Sequence, residues 1–378
     1  MTVVDRYVIR SMNEKLVMNT IIQKEKISRA AISKQTQLNK ATVSSIVTSL
    51  LAKDLILELG MGESNGGRKP VMVTFNSKAG VSLCFDLGPN YISSQLTYLN
   101  GDVISEKLIH LETIQKQDIW SHLRNLIDDF LKNMEPTTYG LIGICIGVHG
   151  IVNNNKLNFS PFYNFNELDL SSELEQIYNV PVYLENEANL AALGEKKNLS
   201  HSQDLISVSV KYGIGSGIIL NEHLFTGSRG YAGEIGHLIV VPEGKKCPCG
   251  NQGCLEQYAS EYQILSLYRK RSNNDKLTFS KLKEAYLANE PLAIEVMNIF
   301  VHYMAIGIND LIVSFNPAII IINSKFTNQI ESIIEKIKKN LSSNLNEHTL
   351  IKFSTLNESA TLIGGSYINS TKFLELSL

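Results

Sequence analysis

The sequence predicts two units: a small N-terminal helical module with a β wing (residues 1–76), and an α/β body of two lobes (residues 77–378). Three observations carry this expectation. Apolar residues recur at helical spacing through residues 12–51, with polar turns between them. Beyond residue 80, apolar strand-like runs alternate with helical stretches in two halves, which suits two lobes around a cleft. Charge also changes sign near the junction. Residues 1–80 hold 12 Lys+Arg against 6 Asp+Glu, and the other 298 hold 23 against 31.

A length of 378 residues with 44% hydrophobic and 19% charged residues fits a soluble globular chain with ample core. No apolar run approaches the roughly 20 residues of a membrane helix. The start of the chain has no apolar signal core, so a cytoplasmic protein without a membrane partner is expected. A basic segment on an acidic body points to nucleic-acid contact at one end.

In the first unit, Leu16, Val17, Met18, Ile21 and Ile22 mark a helix over 12–23. Ser28 is placed to cap a second helix, and Asn39 a third whose buried face is Val43, Ile46, Val47, Leu50 and Leu51. This is a helix-turn-helix outline, in which Lys40, Thr42, Ser44 and Ser45 face phosphates and base edges of operator DNA. Strands at 55–59 and 71–75 flank a Gly-rich loop ending in Arg68 and Lys69, a wing able to reach the backbone or adjacent groove. The same outline also fits a protein-docking or oligomerisation module. The linker, Asn76 to Gly80, is short, so movement of the body is expected to change the spacing of two heads in a homodimer or homotetramer.

The body opens with a strand from Val81 to Leu87, a turn through Gly88-Pro89-Asn90, and a hairpin partner from Tyr91 to Leu99 closing at Asn100-Gly101. A helix follows over 114–133, then a buried strand from Leu141 into His149-Gly150. Residues 181–195 read as strand, turn and helix, and 205–220 as a Gly-containing hairpin. Residues 261–340 read as largely helical, interrupted by 312–317 and an apolar strand over 318–322. No internal repeat is visible. Cys84 and Cys145 sit in apolar runs as small core residues.

Residues 230–257 carry the strongest signal. Cys247, Cys249 and Cys254 are spaced C-x-C-x4-C, with His237 ten residues before the first. A Cys3His set suits one closed, structural zinc ion in a loop over 237–254, because four protein ligands leave no open position. A redox pair is the alternative, but a cysteine cluster with a histidine points more to metal. Glu234 and Glu256 stand beside the ligands, where a metal-pinned loop presents acceptors to a small polyol.

These residues (GEIGH, then CPCGNQGCLE) resemble the signature of the ROK family, the repressors, open reading frames and sugar kinases. The resemblance implies an actin/hexokinase-like body with zinc beside a sugar pocket. The segment over 28–50 and the GGR wing resemble the winged helix-turn-helix of ROK repressors, which plain ROK sugar kinases lack. Family members carry Asn-Asp-Ala-Asn where this chain has Asn186-Glu187-Ala188-Asn189, so Asn186 and Glu187, with Glu234, His237 and Glu256, are implied to bind sugar, His237 through the ring nitrogen not on zinc. Glu187 is one methylene longer than the catalytic Asp, and such work is sensitive to displacements of about 1 Å. The two phosphate loops are altered as well, by Pro89-Asn90 and by Lys211-Tyr212, while Gly364-Gly365 matches the adenine-side glycines or starts the closing helix. The resemblance therefore implies a non-enzymatic, sugar-responsive transcriptional regulator, most often called a xylose or N-acetylglucosamine repressor. An ATP-dependent ROK sugar kinase with an added DNA-binding head is the alternative.

Overall fold

The computed structural model describes residues 6–61, 70–111, 116–162, 169–199, 204–341 and 343–376. Helices α1 (Arg6–Lys24), α2 (Arg29–Thr36) and α3 (Lys40–Ala52) pack with strands β1 (Ile27–Ser28), β2 (Ile56–Met61) and β3 (Val71–Phe75), β3 in the middle. Both anticipated caps form. Ser28 accepts from the Ala31 amide and Asn39 from the Thr42 amide, satisfying donors that a helix start leaves free. The buried core is Val17, Ile21, Ile32, Val43, Val47 and their neighbours. Arg68 and Lys69, the expected wing tip, lie outside the described residues.

The first lobe comprises β4 (Val81–Leu87), β5 (Tyr91–Tyr98), β6 (Val103–His110), α4 (Lys116–Asn133), β7 (Leu141–Val148), β8 (Ile151–Asn153), β9 (Lys156–Phe159), α5 (Leu170–Tyr178) and β10 (Val182–Asn186). Helix α6 (Glu187–Asn198) leads to the second lobe, which holds β11 (Leu205–Val210), β12 (Ile214–Leu220), β13 (His223–Leu224), α7 (Glu256–Ala259), α8 (Glu261–Ser272), α9 (Phe279–Leu287), α10 (Pro291–Phe315), β14 (Ile319–Asn323), α11 (Lys325–Gln329), α12 (Ser332–Lys339) and β15 (Leu350–Phe353). Helix α13 (Ala360–Phe373) returns between the lobes.

The sheets run β10-β7-β4-β5-β6 and β13-β12-β11-β14-β15. Each is an antiparallel meander extended by two parallel strands. The lobes thus repeat one topology without a repeat that the sequence displays. Helices α13 and α6 lie between the sheets, α13 against β4 and β7 and α6 against β11 and β12. Cys84 and Cys145 are core residues there, as expected, packed with Leu190, Leu193, Leu362 and Ile368.

Two expectations are corrected. Residues 312–315 do not interrupt the helical region, because α10 runs on to Phe315 and ends at Asn316 in a left-handed cap. Gly364 and Gly365 do not start the closing helix but lie inside it, where a Cβ on Gly364 would sit 1.8 Å from the Leu190 carbonyl oxygen. Helix α10 is long and apolar enough to cross a membrane by composition, and it is the core helix of the second lobe, burying Val296, Met297, Phe300, Met304 and Ile308.

At the expected boundary, the Asn76 side chain donates to the Asp54 carbonyl at 2.8 Å. The N-terminal core also recruits the far end of the chain: Leu374 and Leu376, just past α13, pack against it. The Tyr139 hydroxyl donates to the Lys53 carbonyl at 2.6 Å, and the Tyr139 ring meets Phe373 edge-on.

Candidate functional site

The ends of strands β4, β7, β10 and β11 converge between the lobes, the place where open α/β sheets bind ligands. Near those ends stand Asp86, His149, Glu187 and Lys211. The Lys211 ammonium lies 3.3 Å from Asp86 Oδ2 and 3.5 Å from Glu187 Oε2. His149 Nε2 is 3.2 Å from Asp86 Oδ1, and its Nδ1 is 3.9 Å from Glu187 Oε1. The Tyr91 hydroxyl donates to Asp86 Oδ2 at 2.9 Å, and Ser209 donates to Glu187 Oε2 at 3.2 Å.

Burial opposes the Asp86 anion, but Lys211, His149 and the Tyr91 hydroxyl outweigh it, so the carboxyl sits below its ordinary range. Burial likewise opposes the Lys211 cation, and the Asp86 and Glu187 carboxylates reverse that, holding it well above the usual lysine value. Asp86 and Lys211 are therefore both held in their charged forms at neutral pH.

Glu187 is buried in the first turn of α6, where a carboxylate is favoured by the helix dipole. Asn186 takes the structural role. Its Oδ1 accepts from the amides of Ala188 and Asn189, and its Nδ2 donates to the Gly150 carbonyl at 2.8 Å. It fixes the angle at which Glu187 enters the cleft. Glu185 supports this turn, accepting from the Asn186 amide and the Asn189 side chain, and burial pushes its carboxyl up. Gly215 and Gly217 lie within β12 and let α6 approach: a Cβ on Gly217 would stand 2.4 Å from the Ala188 carbonyl oxygen.

Glu234, His237 and Glu256 line the second lobe's side of the opening. His237 Nε2 is 3.8 Å from Glu234 Oε2, and its Nδ1 is 3.7 Å from Glu256 Oε1. Burial pushes the Glu234 carboxyl up; nearby Glu256 and Glu187 add to this and His237 opposes it. The structure thus brings together Glu187, Glu234, His237 and Glu256, acceptors suited to a polyol.

His237, Cys247, Cys249 and Cys254 form one cluster, each offering a ligand atom within 4.8 Å of the others. Cys249 Sγ and Cys254 Sγ are 3.7 Å apart, and Cys247 Sγ is 3.6 Å from His237 Nδ1. A tetrahedron with metal–sulfur bonds near 2.3 Å has sulfur–sulfur edges of about 3.8 Å, so these residues fit a metal ion. The loop folds back on bridges between Ile239 and Cys254 and between Lys246 and Gln252. Gly253 makes that return possible: its φ is +84°, and a Cβ would meet the Val241 carbonyl oxygen at 1.7 Å. Nδ1 faces the thiols and Nε2 faces Glu234, so one imidazole serves both the metal cluster and the opening.

In the N-terminal module, Lys40 and Ser45 of α3 are exposed and Thr42 is half-buried. Ser44 is held from behind, accepting from Arg29 Nη1 at 3.3 Å, while Arg29 Nη2 reaches Glu58 on β2 at 3.1 Å. Arg29, which the sequence did not single out, braces α3 against the sheet. The sequence likewise treated Lys211 as damage to a loop and did not assign it to the site; its carboxylate partners are 24 and 125 residues away, so no local motif marks it.

A ROK family sequence model matches residues 82–372. The chain is 36% identical over 384 aligned positions to the xylose repressor of Bacillus spizizenii, with 100% of this chain and 99% of that one covered. It is 29% identical to the DNA-binding transcriptional dual regulator NagC of Escherichia coli strain K12, covering 87% of this chain and 84% of NagC. Among solved structures, a ROK family transcriptional regulator, a homologue of the E. coli Mlc protein, superposes with a TM-score of 0.83 at 27% identity, covering 97% of this chain and 98% of that one. A ROK family glucokinase from Streptomyces griseus, crystallised with glucose and AMPPNP, superposes with a TM-score of 0.69 at 24% identity. It covers 76% of this chain and 99% of its own, and shows the fold of the body alone.

Proposed function

Because the chain belongs to the ROK family, we propose that it is a sugar-responsive transcriptional repressor that binds operator DNA through its N-terminal module and is released when a sugar occupies the cleft. The observation carrying this reading is one of coverage. The repressor relative and the regulator structure match nearly the whole chain, whereas the glucokinase is fully covered by only 76% of it.

In this reading α1–α3 with β1–β3 are a winged helix-turn-helix spanning 1–76, and residues 77–378 are the sensor. Lys40, Thr42, Ser44 and Ser45 lie on the recognition helix, and Arg68 and Lys69 are further DNA contacts. Asn186, Glu187, Glu234, His237 and Glu256 take the sugar hydroxyls, Asn186 while also holding the turn. His237, Cys247, Cys249 and Cys254 hold one structural zinc. The protein works in the cytoplasm as a homodimer or homotetramer without a membrane partner. Sugar acts only insofar as it prefers one of two arrangements of the lobes.

The chain is read as a non-enzyme. Lys211 occupies the second of the two expected phosphate turns, Pro89 removes an amide donor from the first, and Glu187 replaces the shorter carboxylate. Residual carboxylates at 86 and 187 keep an ATP-dependent sugar kinase as the second reading. Fluorescence anisotropy on DNA from upstream of the gene, with D-xylose, D-glucose and N-acetylglucosamine added in turn, tests the proposal. Specific binding reversed by one of these sugars supports it, and binding that no sugar alters counts against the sensor.

A further inference from the structure

We propose that Lys211 and Tyr212 form a two-residue clasp that draws the lobes together over the cleft, so that the sensor closes on its ligand without a nucleotide. This rests on the reading of the cleft as a sugar site, and concerns what holds that site shut.

The two residues are neighbours in the short turn between β11 and β12 of the second lobe, and each reaches the first lobe in its own way. Lys211 reaches Asp86 at the end of β4, and on the way meets Glu187 at the start of α6. The Tyr212 ring meets Phe162 of the first lobe edge-on, with centroids 5.3 Å apart and planes at 90°. It is fixed from its own side by stacking on Tyr262, at 4.4 Å and 26°. One contact is ionic and the other aromatic, and both exist only while the lobes are together.

The ionic half is a matter of charge balance. Asp86 and Glu187 are both buried and both lie within reach of one ammonium, and two desolvated carboxylates repel each other unless a cation stands between them. Lys211 supplies that cation from the opposite lobe. Its charge is taken up inside the protein, so an incoming triphosphate finds it already paired, with two carboxylates behind it. His149, packed edge-on against both Tyr91 and Phe162, joins the ionic and aromatic halves. Opening the lobes would separate Lys211 from Asp86 and Tyr212 from Phe162 in one movement.

The test uses full-length Lys211→Met, Lys211→Arg and Tyr212→Ala variants, with metal content and melting temperature confirming that each is folded. Calorimetry with D-xylose and no nucleotide is expected to show affinity lowered about tenfold or more for Lys211→Met, and kept within about threefold for Lys211→Arg, because a charged donor can still bridge the two carboxylates. Tyr212→Ala falls between them. Without sugar, hydrogen exchange over residues 86–92 and 210–217 is expected to quicken in Lys211→Met and Tyr212→Ala. A folded Lys211→Met that exchanges and binds D-xylose as the parent does overturns the clasp. So does a parent protein whose affinity for D-xylose rises when ATP and magnesium are added. If the parent binds no sugar at all, the sugar reading fails, and the exchange comparison alone decides whether these residues hold the lobes.

Discussion

Gly364 of α13 lies directly against the Leu190 carbonyl of α6, so close that a single added methyl would stand 1.8 Å from the oxygen. The contact joins two helices with different ends. Helix α6 begins at Glu187 in the cleft, and the Thr361 hydroxyl of α13 donates to the Glu187 carbonyl at 3.4 Å. Helix α13 finishes at Phe373, after which Leu374 and Leu376 enter the N-terminal core. A series of packed contacts thus runs from the cleft to the N-terminal module. Gly364→Ala must push the helices apart, because the obstacle is main chain and cannot rotate away. A loss of about 1–3 kcal/mol is expected from such overpacking, read as a lower denaturation midpoint.

The tail makes the same route testable at its other end. Leu374→Asp places a charge against Met18, Leu50 and Leu55, apolar residues of the N-terminal module around a cavity that also touches Leu374. Operator binding is expected to weaken at least tenfold while affinity for the sugar that releases the operator holds within about twofold. Anisotropy and calorimetry on the same preparation separate the two.

Metal removal is the third prediction. Cys249 is one of four residues placed to hold a metal ion, and Cys249→Ser leaves three. Elemental analysis is expected to show zinc falling from one per chain toward zero, with a clear drop in melting temperature. Sugar binding should fail with it, since His237 loses its fixed orientation. Unchanged zinc content would remove Cys249 from the ligand set.

Glu185 yields a pH prediction. Burial raises its carboxyl in the folded state, so folding favours the protonated form. That contribution is complete below the ordinary carboxylate range, near 4.3, and is lost as pH rises through the raised folded value. Glu185→Gln keeps an oxygen for the Asn186 amide and the Asn189 side chain while removing the charge. Its melting temperature is expected to exceed the parent's by about 1–3 °C at pH 7.5, with the gap narrowing toward pH 5.

On the DNA side, Lys40 is exposed at the first position of α3 and is read as a phosphate contact. Lys40→Ala is expected to weaken binding evenly across sequences and reduce the salt slope by about 1, whereas Ser45→Ala should change sequence preference more than slope.

Much of this was legible in the chain because its determinants are local. Ser28 and Asn39 cap helices through amides three residues on, and the Cys3His set spans only residues 237–254. The rest depends on partners that fold topology alone brings together. Lys211 meets Asp86 across 125 residues, and Leu374 joins the core of a module that starts at the other end of the chain. The doubled sheet topology was hidden because strand order constrains hydrogen bonding and burial and leaves side-chain identity free. Asn186, which a motif shared with the family implies as a sugar ligand, also caps α6. That capping geometry is visible in the same four letters.

The central claim is that this cleft reports sugar occupancy to DNA and does not transfer phosphate. The most direct measurement titrates sugar into the preformed protein–operator complex with ATP and magnesium present, following DNA release by anisotropy and sugar phosphate by mass spectrometry in the same sample. Release of DNA at saturating sugar, with no phosphorylated sugar formed, is the predicted result. Catalytic accumulation of sugar phosphate while the operator stays bound would contradict it.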